Sequence, residues 1–345
     1  MILVLRALGI GDLATAVPAL RGLRAAYPAT TITLAAPAAL APLVELTDAV
    51  DRLLPLAGLT RPAGPAPGST PGSTPIQGLD PAPDWAVNLH GHGPQSHRVL
   101  QTARPGRLWA YACPAAGQDD GPQWADGEHE VLRWCRLVAW YGVAAEPTDL
   151  ALRRPAPGRV PVGVTVIHPG AAAPRRRWPP DRFAEVARRL AAAGHRVVVT
   201  GSARERALAE SVAAAAGLSG TAVCAGRMDL SRFTALLSHA RLLVAADTGA
   251  GHLATAFGVP SVLLFGPTSP ARWGPLVDRD RHRVVHYPAL SGGAEVPGAD
   301  DSDPVDGTEA ASGIATLVPD PAMAAICVDE VLAAAGEAER GAAAA

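Results

Sequence analysis

The chain contains no lysine: all 30 of its Lys-plus-Arg positions are arginine. That absence excludes a Schiff-base lysine and a P-loop lysine. Any cationic recognition of phosphate must come from guanidinium groups, which are always charged and present a planar fork of donors. Neither sign of charge is in excess. Thirty basic against 32 acidic residues leave a formal net charge of −2, which removes any bulk case for nucleic acid or an anionic membrane as partner. Cysteine is scarce. Cys113, Cys135, Cys224 and Cys327 show neither C-x-x-C nor Cys/His spacing, so they read as buried free thiols of a reducing cytosol rather than zinc ligands. No charge-free apolar run reaches 18 residues, so no segment is expected to span a bilayer. The start of the chain lacks a basic n-region and a small-residue cleavage site, and reads as a strand, not a signal. A cytoplasmic location is the expectation.

What is present is an α/β rhythm. The chain has 345 residues, 48% of them hydrophobic, enough for about two domains. Strands are expected at Ile2–Arg6, Thr31–Ala35, Val50–Leu54 and Trp85–Leu89, with helices at Thr15–Ala26, Leu40–Leu46 and Glu128–Tyr141. Residues 61–83, with PGST in tandem, are too rich in Pro and Gly to pack and read as a solvated loop. A Pro-rich hinge at 152–161 divides the chain. Beyond it, strands are expected at Val162–His168, Arg196–Thr200, Leu242–Ala246 and Ser261–Phe265. Helices are expected from Pro180 to Ala193, with the next opening at the capping box Ser202–Glu205, and at Leu230–Ala240, Gly251–Phe257 and Asp320–Ala335. Residues 291–316 read as a second loop. The assignment is an N-terminal domain over 1–152, a C-terminal domain over 160–335 and a frayed Ala-rich tail over 336–345. Alternating strands and helices imply parallel, doubly wound sheets with ligands beyond the carboxyl ends of the strands, and with two domains a cleft between them is the expected site.

Three stretches carry chemistry. Gly9, Gly11 and Ala14 fit the G-x-G-x-x-[GA] turn of a dinucleotide site, but the second strand ends in TLAAPAAL without the acid that would hold the ribose. Asp12 would also repel a pyrophosphate. A turn that presents an acid accounts for Asp12 better, and a plain helix cap remains open. The run from Leu242 to Pro270 places Asp247 at a strand end. Thr248, Gly249, Ala250 and Gly251 then lead into a helix, and His252 sits in its first turn; backbone N–H groups there form an anion cradle. The segment HPGAAAPRRRWPP puts three arginines between a strand and a helix, where one guanidinium fits a diphosphate. Two weaker clusters are His90, His92 and His97, read as a pocket-lining loop rather than a metal site, and Asp301-Ser-Asp303, read as solvated loop.

Together, LRALGIGDLATAVPALRGLRAAYP, HPGAAAPRRRWP, TGSARERALAE, ADTGAGHLATAFGVPSVLLFGPTSP and PDPAMAAICVDEVLAA resemble glycosyltransferase family 9, the ADP-heptose:lipopolysaccharide heptosyltransferase family. The resemblance covers most of the chain and is weakest over 55–150. It implies a GT-B fold of two facing Rossmann-like domains and an inverting, metal-independent sugar transfer without a cofactor. It also implies Asp12 as general base in the turn of Gly9 and Gly11. Arg176 stands where the family usually has a diphosphate-binding lysine. Asp247, Thr248, Gly249 and His252 fall on the nucleotide-sugar loop, Glu205 on a ribose-binding acid, and Met228 on a residue packing on the base. The implied partners are a nucleotide-sugar donor, ADP-heptose favoured, and a glycan or glycolipid acceptor, with peripheral membrane contact if the acceptor is lipid-linked. A nicotinamide-dependent oxidoreductase and a non-catalytic nucleotide-sugar-binding protein are the rival readings.

Overall fold

The computed structural model describes residues 1–59, 75–76, 79–288 and 320–344. The loop expected at 61–83 lies largely outside these residues, and 291–316, with Asp301-Ser-Asp303, lies wholly outside them. The chain divides into two compact units, one comprising Met1–Leu150 and the other beginning at Ala151.

The first unit contains β1 (Ile2–Leu5), α1 (Ile10–Ala26), β2 (Ile32–Ala36), α2 (Ala41–Glu45), β3 (Arg52–Pro55), β4 (Trp85–Asn88), α3 (Gln95–Gln101), β5 (Arg107–Trp109) and α4 (Glu130–Trp140). All strands pair in parallel, in the order β3-β2-β1-β4-β5. The continuous apolar run ILVL makes β1 the central strand, buried throughout, as a parallel strand covered on both faces must be. The order reverses between β1 and β4. Helix α1 begins five residues earlier than its hydrophobic pattern indicates, because Gly9 adopts an extended conformation and serves as its N-cap. Asp12 therefore sits inside the first turn rather than before the helix. Further along α1, Gly22 lies against the segment after α4; a Cβ there would fall 2.6 Å from the Ala144 carbonyl oxygen.

The second unit contains β6 (Thr165–His168), α5 (Pro180–Ala192), β7 (Val197–Val199), α6 (Arg206–Ala215), α7 (Leu230–Ser238), β8 (Leu242–Ala246), α8 (Gly249–Phe257), β9 (Ser261–Phe265), α9 (Pro270–Trp273), β10 (His282–His286), α10 (Pro321–Ala325) and α11 (Val328–Ala344). Its sheet is also all parallel, in the order β10-β9-β8-β6-β7, with the reversal between β6 and β8. Trp178, Phe183, Val199, Val244 and Leu264 belong to its buried core.

Several expectations need correction. The expected final helix over Asp320–Ala335 is two helices: α10 ends at Ala325, and α11 runs from Val328 past Ala335 through Ala344. The reason is packing: Ala338 is buried, Gly341 lies so close to Asp280 that a Cβ would meet its carbonyl oxygen, and Arg241 and Arg283 pair with Glu339 and Glu337. The capping sequence at Ser202 does not open a helix there; α6 starts at Arg206 with Glu205 at its N-cap. Of the four free thiols only Cys135 is buried, and Cys327 is exposed.

Replacing Gly22 by Ala tests the α1 contact. Helix propensity alone favours Ala by about 1 kcal/mol, whereas overpacking against a backbone carbonyl costs roughly 1–3 kcal/mol. The expected outcome is net destabilisation, read as a lower denaturant midpoint at unchanged m-value.

Candidate active site

In doubly wound sheets, ligands bind beyond the carboxyl ends of the strands where the order reverses. In the first unit that place is flanked by the segments following β1 and β4. The residue directly after β1 is Arg6, almost fully buried. Its Nε donates to the Asp12 carbonyl oxygen at 2.9 Å and its Nη1 to the Leu89 carbonyl oxygen at 2.6 Å. Its Nη2 reaches Asp12 Oδ1 at 3.3 Å, Thr15 Oγ1 at 3.3 Å and Glu130 Oε1 at 3.1 Å. Asp12 Oδ2 accepts the Gly9 N–H at 3.0 Å. The carboxylate thus steadies the start of α1 from within its first turn, where a negative charge also meets the positive end of the helix dipole. Gly9 and Gly11 are both buried at this turn.

Glu130 opens α4. Its Oε1 also accepts the Trp134 indole N–H at 2.9 Å, and its Oε2 lies 3.1 Å from Arg133 Nε. The Arg6 guanidinium lies 4.7 Å from the Trp134 ring centroid, and that of Arg133 lies 3.7 Å from the Trp124 ring centroid. Two buried cations and two buried carboxylates therefore form one neutral, hydrogen-bonded cluster, the condition under which buried charge is tolerated.

Beyond β4, the Asn88 amide nitrogen lies within hydrogen-bond distance of the Gly91 carbonyl oxygen, Ser96 Oγ and His97 Nδ1. His97 Nε2 faces the Tyr111 carbonyl at 2.8 Å. A carbonyl only accepts, so Nε2 carries the proton and His97 is a structural strut. His92 is exposed and packs on Trp124, with ring centroids 4.8 Å apart. Burial, and then the positive charge of Arg6, push His90 down to about 3, so its imidazole is neutral. The three histidines do not converge, and among the described residues no group of three or more His, Cys, Asp or Glu side chains could hold a metal ion.

In the second unit the reversal lies between β6 and β8. Arg176 ends a short 3-10 turn, Pro174–Arg176, in the segment after β6. Asp247 directly follows β8. Arg176 Nη1 lies 3.4 Å from Asp247 Oδ2, and both side chains are less than a tenth exposed. Of the three consecutive arginines only Arg176 turns inward; Arg175 is exposed and Arg177 binds the Ala171 carbonyl. Thr248 is the extended N-cap of α8, and its buried Oγ1 has no hydrogen-bond partner. Gly249 is buried in the first turn. Asp247, Thr248, Gly251, His252, Thr255 and Trp273 line one recess, with the His252 and Trp273 rings edge to face.

Glu205 lies on the same carboxyl edge, beyond β7. Its Oε2 accepts the Ser202 N–H and hydroxyl at 2.7 and 2.8 Å. Gly170, after β6, lets the Glu205 carboxylate approach the backbone closely: a Cβ there would fall 2.0 Å from Glu205 Oε1 and displace it. Burial pushes the Glu205 carboxyl up, but His168, the two Ser202 hydrogen bonds and Arg177 outweigh it and hold the group below its ordinary value. Met228 is half-buried immediately before Asp229, the N-cap of α7. The structure thus gathers Arg176, Asp247, Thr248, Gly249 and His252 around one reversal point, with Glu205 and Met228 on loops of the same unit. Arg6, Glu130 and Arg133 were not foreseen. The available signal was a lone arginine ending the apolar run of β1 just ahead of the Gly9 turn.

Buried neutral histidines give a pH prediction. His282 is lowered to about 4, chiefly by burial, and His90 to about 3. Between about pH 6.5 and 4 the unfolded chain binds protons that the folded chain refuses, so stability rises with pH across that window. Unfolding free energies measured from pH 4 to 7 should slope upward, and His282→Gln should flatten part of the slope.

Residues 125–292 match the model of Glycosyltransferase family 9 (heptosyltransferase). The chain is 35% identical over 117 residues to lipopolysaccharide heptosyltransferase 2 of Escherichia coli, covering 33% of this chain and 34% of that protein. It is 33% identical over 200 residues to lipopolysaccharide heptosyltransferase 1 of Pseudomonas aeruginosa, covering 55% and 53%. The chain thus spans about a third of the length of the first of these curated relatives and about half of the second. Among solved structures, it superposes on the E. coli ADP-heptose lps heptosyltransferase II with a TM-score of 0.69 at 20% identity, covering 98% of both chains. It superposes on E. coli heptosyltransferase WaaC with ADP with a TM-score of 0.64 at 16% identity, covering 100% and 99%. The resemblance to family 9 read from the motifs therefore holds, and the two parallel-sheet α/β units share the GT-B fold of these structures. The oxidoreductase reading draws no support from these relatives.

Proposed function

We propose that the chain is an inverting glycosyltransferase that moves a sugar, heptose by preference, from an ADP-linked donor to a hydroxyl of a glycan acceptor. The observation that carries this reading is the reversal point of the second unit. Buried Arg176 and the unpartnered Thr248 hydroxyl stand there beside the N-terminus of α8, a setting suited to a diphosphate. The relatives' names supply the class of donor and acceptor: lipopolysaccharide heptosyltransferases among curated proteins, and structures solved with ADP or ADP-D-beta-D-heptose.

The steps balance without a metal or cofactor. The acceptor oxygen attacks the anomeric carbon as its proton passes to the Asp12 carboxylate. The bond from that carbon to the diphosphate oxygen breaks, and the electron pair leaves with the diphosphate. Arg176 and the α8 N-terminus hold the charge that develops, and this electrostatic term is the larger one. A single displacement inverts the anomeric centre. Glu205 binds the donor ribose and Met228 packs on the base. A cytoplasmic enzyme acting on a lipid-linked acceptor would touch the membrane surface only peripherally.

Two variants test the assignment with ADP-heptose and a deacylated lipopolysaccharide core saccharide. Asp12→Asn keeps an oxygen for the Gly9 N–H but removes the base, so turnover should fall by about 10²–10⁴-fold with donor affinity nearly unchanged. Arg176→Ala should weaken donor binding instead. Near-full turnover by Asp12→Asn would remove Asp12 from the role of base.

A further inference from the structure

Arg6 Nη2 carries two hydrogens but has three acceptors around it. The nearest is not Asp12 but Glu130 Oε1, at 3.1 Å against 3.3 Å for Asp12 Oδ1 and Thr15 Oγ1. This arrangement bears on the proton transfer to Asp12. A buried guanidinium devoted to one carboxylate stabilises its charged form and makes it a poor base. A second carboxylate on the same nitrogen has the opposite effect, by drawing off the donor and by adding a like charge nearby. Glu130 is itself held in place. Trp134 donates to its Oε1, and Arg133, stacked on Trp124, stands against its Oε2.

We propose that Glu130 is a positioning residue: by sharing the Arg6 guanidinium with Asp12, it keeps Asp12 basic enough to take the acceptor proton. Other groups face the same cluster. His90, on the segment after β4, is uncharged beside Arg6. His129, the N-cap of α4, spends its Nδ1 on the Val131 N–H. Thr15 gives its own hydroxyl hydrogen to the Asp12 carbonyl. Arg133 carries a further positive charge, and it bears on Glu130. Among the described residues, Glu130, on a helix far along the chain, shares a guanidinium nitrogen of Arg6 with Asp12.

This inference rests on Asp12 being the base. The test is Glu130→Gln, isosteric but uncharged, read in two ways: the pH dependence of kcat with ADP-heptose and deacylated lipopolysaccharide core saccharide, and the titration of the Asp12 carboxyl carbon in 13C-aspartate-labelled protein, assigned with Asp12→Asn. Removing the negative charge should lower the Asp12 pKa. The acid limb of kcat and the carboxyl titration should both move down by about one pH unit, kcat on the plateau should fall several-fold as the base weakens, and donor affinity should not change. Glu130→Asp, which keeps a charge for Arg133 but withdraws it from Arg6, should shift both in the same direction by less. It also serves if the Gln variant folds poorly. An unmoved carboxyl titration in either folded variant overturns the proposal, leaving Glu130 a merely structural partner of α4. If the carboxyl titration moves but Asp12→Asn still turns over, the sharing stands and the base assignment fails.

Discussion

The buried guanidinium of Arg6 ties the first unit together. Its donors reach the backbone of α1 at Asp12, the backbone beyond β4 at Leu89, and the carboxylate of Glu130 on α4. One side chain thus fixes the end of the central strand, the start of the helix that follows it, the segment across the sheet reversal and a helix far along the chain. The arrangement is tolerable because it is neutral: Arg6 and Arg133 face Asp12 and Glu130. Removing one partner from such a cluster leaves an uncompensated buried charge, at a cost of about 3–5 kcal/mol. Because Asp12 is held in the same cluster, the geometry of the proposed base and the integrity of the fold are one problem.

The second unit uses a related device. Arg176, in the segment after β6, meets Asp247, directly after β8, across the point where its sheet reverses. In a chain without lysine, each reversal point is furnished with a buried arginine paired to an aspartate. The two pairs differ in what surrounds them. Arg6 is enclosed by backbone carbonyls, two carboxylates and an indole ring. Arg176 stands near a helix N-terminus and the hydroxyl of Thr248, which has no partner. One setting holds a carboxylate in place; the other keeps a buried hydroxyl without a hydrogen-bond partner.

Much of this was legible in the sequence. The strands from ILVL onward, the Gly9–Asp12 turn and the DTG-x-x-HLA loop all rest on local patterns, and those patterns survive folding. What escaped has physical reasons. Helix α1 starts at Ile10 because an extended glycine caps it, which hydrophobic periodicity does not record. Strand β5 is three residues long and begins with an exposed arginine, and β10 has only two apolar residues, so neither rises above a loop pattern. Helix α11 continues past Ala335 because of contacts with distant residues, not its own composition. Glu130 and Arg6 are far apart in the chain and meet only in the folded unit. Nothing in PRRRWP distinguishes Arg176 from its neighbours until one of the three turns inward.

The central claim is that this pair of Rossmann-like units binds a nucleoside-diphosphate sugar rather than a dinucleotide. The most direct measurement is calorimetric titration of the purified protein with ADP-heptose, ADP-ribose, UDP-glucose, GDP-mannose and NADH, with no metal added. The account predicts saturable binding of ADP-heptose, tighter than the other nucleotide sugars, and loss of that binding in Arg176→Ala. Binding of NADH alone would contradict it and return the Gly9–Gly11 turn to a dinucleotide.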